Sequence, residues 1–300
     1  MRKNDWMNKN VRGIVCTLVG GALWGFSGAC GQYLFTRYQV DSGWLTVVRM
    51  VAAGLVLMTV NAIRMGRRTA DIWRSGRDAL QLAVFALLGL AFSQYAYLTS
   101  IACSNAGTAT VLQYLGPVLI MMLVCIRRRR LPDRRETAAV VLAVGGTFLL
   151  ATHGNPGVMV LSRSGLIWGL LSAVSLALYT LLPAGIIGRW GSMTVTGWAM
   201  LTGGIVFGCA TRVWTIPVAL DVGGWLAVGG VVVMGTVLAY TLYLQGVADV
   251  GAVRASMLAS VEPVSATLFS VLWLGTGFQW IDLLGFVCIM TTVFLLAKKQ

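Results

Sequence analysis

Charge is what this sequence has least of. Only 11% of its 300 residues are Asp, Glu, Lys or Arg. Soluble domains carry about 25%, so a globule of this size lacks the polar groups to cover its surface. Acidic residues number 10 and histidine 1, too few for a Cys/His metal site. The six cysteines, Cys16, Cys30, Cys103, Cys125, Cys209 and Cys288, form no C-x-x-C pair. They read as small buried hydrophobes, not as ligands or a disulfide framework. A soluble enzyme, a disordered chain and a secreted disulfide scaffold are excluded, and no cofactor or metal is expected. Membrane-embedded hydrolases and lipid transferases need paired carboxylates, a Ser/His pair or metal ligands. Only one acidic residue, Glu262, lies deep in an apolar run, so an enzyme is not expected either.

Apolar residues make up the difference. The hydrophobic fraction is 57%, 36 residues are glycine, and the mean hydropathy is +0.79. Glycine in an apolar chain suits close helix packing in lipid. A helix crossing about 30 Å of hydrocarbon needs about 20 apolar residues. Ten runs qualify: Gly13–Phe35, Trp44–Ile63, Ala79–Ile101, Ala106–Ile126, Thr137–Thr152, Gly165–Ile187, Thr194–Thr211, Val222–Gly246, Val250–Leu274 and Trp280–Ala297. They are long and continuous, unlike the alternating strands of about ten residues in a membrane barrel. The fifth is short and can extend backward through Glu136. The first is too long for a signal-peptide core and leads directly into further spans. An all-α polytopic membrane protein with ten transmembrane helices is the expected fold.

The net charge of +13 could suggest nucleic acid, but the basic residues flank apolar runs, where they orient a chain in a bilayer. On the side of the N-terminus lie 18 of the 23 Lys and Arg, including Arg127 to Arg130; the other side has 3, Arg37, Arg163 and Arg212. Arg49 and Arg254 fall within runs. This bias places both termini in the cytoplasm of a cell-membrane protein. No nucleic-acid partner is expected.

The chain also repeats itself. Tyr97-Leu98 matches Tyr243-Leu244, Ala109 matches Ala255 and Pro117 matches Pro263, all at an offset of 146; Trp24-Gly25 matches Trp168-Gly169 at 144. Residues 1–152 and 153–300 are thus expected to be two five-helix repeats. Five is odd, so the second is inverted, a construction common in secondary transporters with a site near the midplane. Pro117 and Pro263 fall mid-span, where each removes a backbone donor and clashes with a carbonyl four residues earlier. At about 100° per residue, Ala255, Ala259, Glu262 and Ala266 share one face, opposite Val253, Met257, Val264, Leu268 and Val271. In span four, Ala109, Gln113, Gly116 and Ile120 share a face, opposite Val111, Val118 and Met122. Gln113 and Ala259 are expected to line a water-accessible cavity near the midplane, and Val118 and Val264 to face lipid.

These features resemble the EamA-type transporters of the drug/metabolite transporter superfamily. The resemblance rests on Gly20-Gly21-Ala22-Leu23-Trp24-Gly25, Arg49 with Ala53, the Asn105-to-Pro117 stretch, Leu178-Tyr179-Thr180, and Gly251 through Glu262-Pro263. It implies ten helices in two repeats, cytoplasmic termini and export of small metabolites such as amino acids. The family often has a glutamate just after spans four and nine; here Arg127 to Arg130 and Gly275-Thr276-Gly277 stand there.

Candidate cavity residues are Trp24, Gln94, Tyr97, Gln113, Trp168, Tyr179, Tyr240, Tyr243 and Ala259. Arg49 and Glu262 are the charge or coupling candidates, and Pro117 and Pro263 the helix-break candidates. Glu262 is about 18 Å from either end of its run at 1.5 Å per residue, so it cannot reach the interface. Three roles are open to it: proton coupling, counter-ion to a substrate ammonium, or structural partner of Arg49. The expected partners are a small-molecule substrate, the lipid bilayer and, as coupling ion, protons; the oligomeric state is open and compatible with a monomer. A carrier by alternating access is expected, with a lipid-carrier flippase or a passive channel as the alternative. A reporter fused after Lys299 should report cytoplasm, and one in the 39–43 loop the exterior; an external C-terminus overturns the even helix count.

Overall fold

The structure, a computed structural model, describes residues 3–157 and 159–297, without the side chains of 3–8, 64–68, 252–253 and 297. Arg2, Lys298 and Lys299 of the charge bias, and the side chains of Lys3, Arg64, Arg67 and Arg68, lie outside the described residues. Among the described residues there is no strand. Among the described residues, nine helices are long and apolar enough to cross a membrane: Lys9–Tyr38, Ser42–Ile63, Gly76–Cys103, Ala106–Arg127, Arg134–Thr152, Arg163–Leu181, Ser192–Thr211, Val222–Val250 and Arg254–Leu272. A tenth apolar helix, Trp280–Leu296, is shorter. They are called spans one to ten. The chain is a polytopic all-α membrane protein, as its composition requires: in hydrocarbon each backbone polar group must be satisfied within the segment.

Side-chain caps set where several spans begin. Asn105 accepts from the Thr108 amide at 2.8 Å and opens span four. Span five starts earlier than its apolar run because Asp133 and Glu136 form a capping box. Arg130 then binds both Glu136 oxygens, at 2.6 and 2.7 Å, so it is a structural partner and not a free anchor. Asp221 caps span eight through the Gly224 amide at 2.9 Å and accepts from the Tyr38 hydroxyl at the end of span one. That hydroxyl, first, and the amide hold the Asp221 carboxyl below the usual carboxylate range. Between spans eight and nine the chain reverses at Gly251, whose φ of +86° suits a residue without a side chain.

Spans four and nine are each broken near the middle. Span four is helical over Ala106–Gln113 and again over Gly116–Arg127; span nine over Ala252–Ala259 and again over Val261–Leu272. Pro117 sits in the first turn of its second half-helix, where a missing amide costs nothing. Spans three and eight contain π-helical segments, Phe85–Ala91 and Gly230–Leu238.

Span seven packs on span two, span ten on five, span eight on one, and span six on three. Span nine packs on span one, span four on span six, and the first half of span four on span nine. Glycine lets these helices approach closely. A Cβ on Gly25 would lie 2.6 Å from the Ala266 amide nitrogen and 2.7 Å from the Glu262 carbonyl oxygen. A Cβ on Gly246 would lie 1.9 Å from Thr17 Oγ1.

Span nine divides in part as expected: Ala255, Ala259 and Ala266 are buried and Val264, Leu268 and Val271 are exposed, while Glu262 and Met257 are half-buried and the Val253 side chain lies outside the described residues. Span four departs from expectation. Val111 and Val118 are buried, packed with Ala143, Leu150, Ala173, Phe286 and Ile289, and do not face lipid. Gly116 lies against Leu176 and the Ala173 carbonyl of span six. Two physical causes account for this. Spans five, six and ten surround the second half of span four, and the turn at Tyr114-Leu115 breaks the 100° phase that relates Gln113 to Gly116.

The packing makes a direct prediction. Gly25→Ala forces a backbone of span nine to move and should cost about 1–3 kcal/mol, as overpacking does. Gly145→Ala, where nothing lies within 4 Å of the new Cβ, should leave stability unchanged or slightly raised. Thermal unfolding in detergent, followed by monodispersity, separates the two; equal melting temperatures would contradict the close span one to span nine contact.

Candidate functional site

The broken helices bring polar groups to the middle of the bundle. At the break in span four, the Tyr114 hydroxyl donates to Glu262 Oε2 and to the Ala259 carbonyl oxygen, both at 3.2 Å. It therefore ties the turn of span four to the turn of span nine. The Ala259 carbonyl ends a half-helix, so it is one of the acceptors that helix termini leave unsatisfied. Glu262 as a residue is half-buried.

Arg49 enters from span two and is 6% exposed. Its Nε donates to Thr236 Oγ1 at 3.2 Å, in the π-helical segment of span eight. Glu262, Tyr97 and Tyr240 lie within electrostatic reach of the guanidinium. Among the described residues, no ion pair within 4 Å joins Arg49 to Glu262 or to any other carboxylate. The structural ion pair considered from sequence is therefore absent from this arrangement. The site holds one buried cation and one carboxylate that face a common region without contacting each other.

Aromatic rings line the same region. Trp24 meets Tyr240 edge-on at 5.3 Å and Tyr243 at 5.1 Å between ring centroids. Tyr179 from span six lies within electrostatic reach of Tyr240. The Tyr97 hydroxyl pairs with Thr110 Oγ1 at 2.8 Å, and Tyr97 is buried. Such a lining offers apolar faces for a small side chain and hydroxyls for polar groups.

The sequence-derived candidates divide as follows. Trp24, Tyr97, Tyr179, Tyr240, Tyr243, Arg49 and Glu262 come together. Ala259 contributes through its carbonyl, since its side chain is buried. Gln94 and Gln113 are half-buried. Trp168 belongs elsewhere: its ring meets Tyr95 at 5.2 Å, and Tyr95 meets Phe207 at 5.2 Å. Pro117 and Pro263 act on the backbone, beside the two breaks. His153 Nε2 lies 2.7 Å from Asp282 Oδ1 and so joins span five to span ten. Tyr114 and Thr236 were not singled out from sequence. Tyr114 adjoins Gln113 at a proline-associated break, a signal that could have found it. Thr236 carries no such signal, because its importance comes from a π turn.

Comparison with known proteins agrees with this architecture. The model of the EamA-like transporter family matches residues 11–152 and 163–298, and the chain belongs to that family. It is 36% identical over 299 residues, 97% of each chain, to the "Uncharacterized inner membrane transporter YicL" of Salmonella typhimurium. It is 26% identical to an "Uncharacterized transporter" of Archaeoglobus fulgidus, over 74% of this chain and 77% of that one. It is 24% identical to "Protein PecM" of Dickeya dadantii, over 82% and 80%. A solved structure described as a crystal structure of a protein superposes with a TM-score of 0.61 at 18% identity, covering 94% of this chain and 95% of that one. That likeness concerns the fold.

The bond from Tyr114 to Glu262 can be tested alone. Tyr114→Phe keeps the ring and removes the hydroxyl that serves a carboxylate and a helix-end carbonyl. It should lower unfolding stability by about 1.5–3 kcal/mol, the range for a hydrogen bond to a charged group. An unchanged melting temperature in detergent would show that Tyr114 does not hold the two breaks together.

Proposed function

We propose that the protein is a secondary transporter that exports amino acids or similar small zwitterionic metabolites by alternating access. The observation that carries the proposal is the separation of Arg49 and Glu262. An intramembrane arginine costs a few kcal/mol on insertion scales unless it finds a partner or water. Two opposite charges on one aromatic-lined region, held apart, suit a substrate that brings both missing partners: a carboxylate for Arg49 and an ammonium for Glu262. The rings of Trp24, Tyr240 and Tyr243 suit a cation or an apolar side chain. No residue set in the site supports covalent or metal chemistry, so the reading is of a carrier and not an enzyme.

Alternating access is supported by how the spans pack. Every pairing of spans given above is kept when spans one to five are exchanged with six to ten, as expected if residues 1–152 and 153–300 are inverted repeats. Both carry a break in the fourth helix of the half, at Tyr114-Leu115 and at Ser260. With the basic bias, this reading places both termini in the cytoplasm of the cell membrane.

Counterflow in proteoliposomes tests the proposal. Preloaded unlabelled amino acid should drive saturable uptake of the labelled form; a passive channel gives no counterflow, and a lipid-carrier flippase gives none with amino acids. Glu262→Gln keeps the shape and removes the charge. It should insert normally and lose affinity for the zwitterion by about tenfold or more, together with the dependence of transport on pH. Normal affinity with an unchanged pH profile would remove Glu262 from transport.

A further inference from the structure

The two π-helical segments occupy matched places in the chain. The offset of 146 that relates Tyr97-Leu98 to Tyr243-Leu244 carries residues 85–91 onto 231–237, inside the second segment, Gly230–Leu238. A π turn holds one residue more than an α turn, and such turns are frequent at functional sites. Each segment here lies immediately before a part of its span that bears tyrosines: Tyr95 and Tyr97 in span three, Tyr240 and Tyr243 in span eight. Converting a π turn to α would rotate everything beyond it by about 100°.

The two segments differ in what secures them. In span three, the place matched to Thr236 is Leu90, which has no polar group. In span eight, Thr236 is fully buried and its hydroxyl makes two bonds. It donates to the Val231 carbonyl at 3.3 Å and accepts from Arg49 Nε at 3.2 Å. The first bond is unusual within this protein. Thr17, Thr59, Thr110, Thr202, Thr211 and Thr241 donate to the carbonyl four residues earlier, at 2.7 or 2.8 Å. Thr236 reaches five residues back, over a longer distance, and so bonds across the π turn itself. Beside it, Gly235 lets span one approach the π segment closely, since a Cβ there would lie 2.0 Å from Ser27 Oγ.

We propose that Thr236 is a positioning residue that couples Arg49 to the π turn of span eight, so that engagement of Arg49 by a substrate anion releases the turn and reorients Tyr240 and Tyr243. The inference rests on the reading of Arg49 as a substrate-facing charge. With no anion present, the guanidinium clamps the hydroxyl and the turn stays π-helical. When an anion draws the guanidinium away, the hydroxyl loses the partner that holds it toward the Val231 carbonyl, and the π turn opens more often. The coupling resides in one half of the protein, because Leu90 cannot make it in the other.

Amide hydrogen exchange over residues 230–238, in the full-length protein in nanodiscs without ligand, tests the clamp independently of any substrate. Thr236→Val keeps the shape and removes the hydroxyl; exchange in this segment should become about tenfold faster as the turn opens more often. Thr236→Ser keeps the hydroxyl and should restore the wild-type rate. Arg49→Met should speed exchange as Thr236→Val does, and the double variant should add nothing further. An unchanged or slower rate in Thr236→Val, failure of rescue by Thr236→Ser, or additive effects of the two single changes would overturn the proposal. If Arg49→Met fails to insert, the Val and Ser variants decide the matter alone. L-alanine is the probe for the second arm. It should speed exchange over 230–238 in the wild type and have no further effect in Thr236→Val. A clamp that behaves as described but ignores L-alanine leaves Thr236 in its role and removes the amino-acid reading instead.

Discussion

A guanidinium buried among membrane helices without a carboxylate is the feature on which the rest of the site depends. Placing Arg49 in span two incurs a desolvation cost that one bond to Thr236 offsets only in part. The bundle leaves the nearest opposite charge, Glu262, tied to Tyr114 on another pair of spans. The fold keeps them apart because each is anchored to a different interruption of regular helix. Arg49 is held by the π segment of span eight, and Glu262 stands just after the break of span nine. The interruptions thus leave backbone groups without helical partners in the middle of the bundle and hold the two side chains out of contact.

Close glycine contacts make this arrangement rigid where it must be. Span one lies against the backbone of span nine at Gly25 and against span eight near Gly246. Trp24, on the same helix, is thereby set against Tyr240 and Tyr243. In hydrocarbon there is no hydrophobic force between helices, so such approach must come from small residues and van der Waals packing. Ion pairs and hydrogen bonds at the rim then join the two halves of the chain: Arg12 with Asp249 on the N-terminal side, Gln32 with Thr276 and Tyr38 with Asp221 on the other.

The spans were legible because length and hydropathy decide them. Glu136 extended the fifth, and the tenth appeared as the shortest helix. Glu262 and Arg49 were legible because any charge in an apolar run stands out, and the tyrosines of span eight because they lie too deep for the interface. What was not legible depends on which neighbours surround a helix. Val118 was assigned to lipid from phase alone, but spans five, six and ten cover its side of the helix while Met122, Leu123 and Ile126 stay exposed, and phase does not survive a break. Trp168 matched Trp24 in sequence and not in surroundings. Tyr114 became visible only once the turn of span four was seen to meet that of span nine. The π segments leave no trace in hydropathy, so Thr236 read as an ordinary polar residue in a span.

The claim that two separated charges select a zwitterion is tested most directly by competition in counterflow of labelled L-alanine through the unaltered protein. Propionate keeps the carboxylate and ethylamine the ammonium; each loses one charged partner. Both should compete at least about tenfold more weakly than unlabelled L-alanine. Ethylamine or propionate competing as well as L-alanine, or no amino acid giving saturable counterflow, would contradict the account.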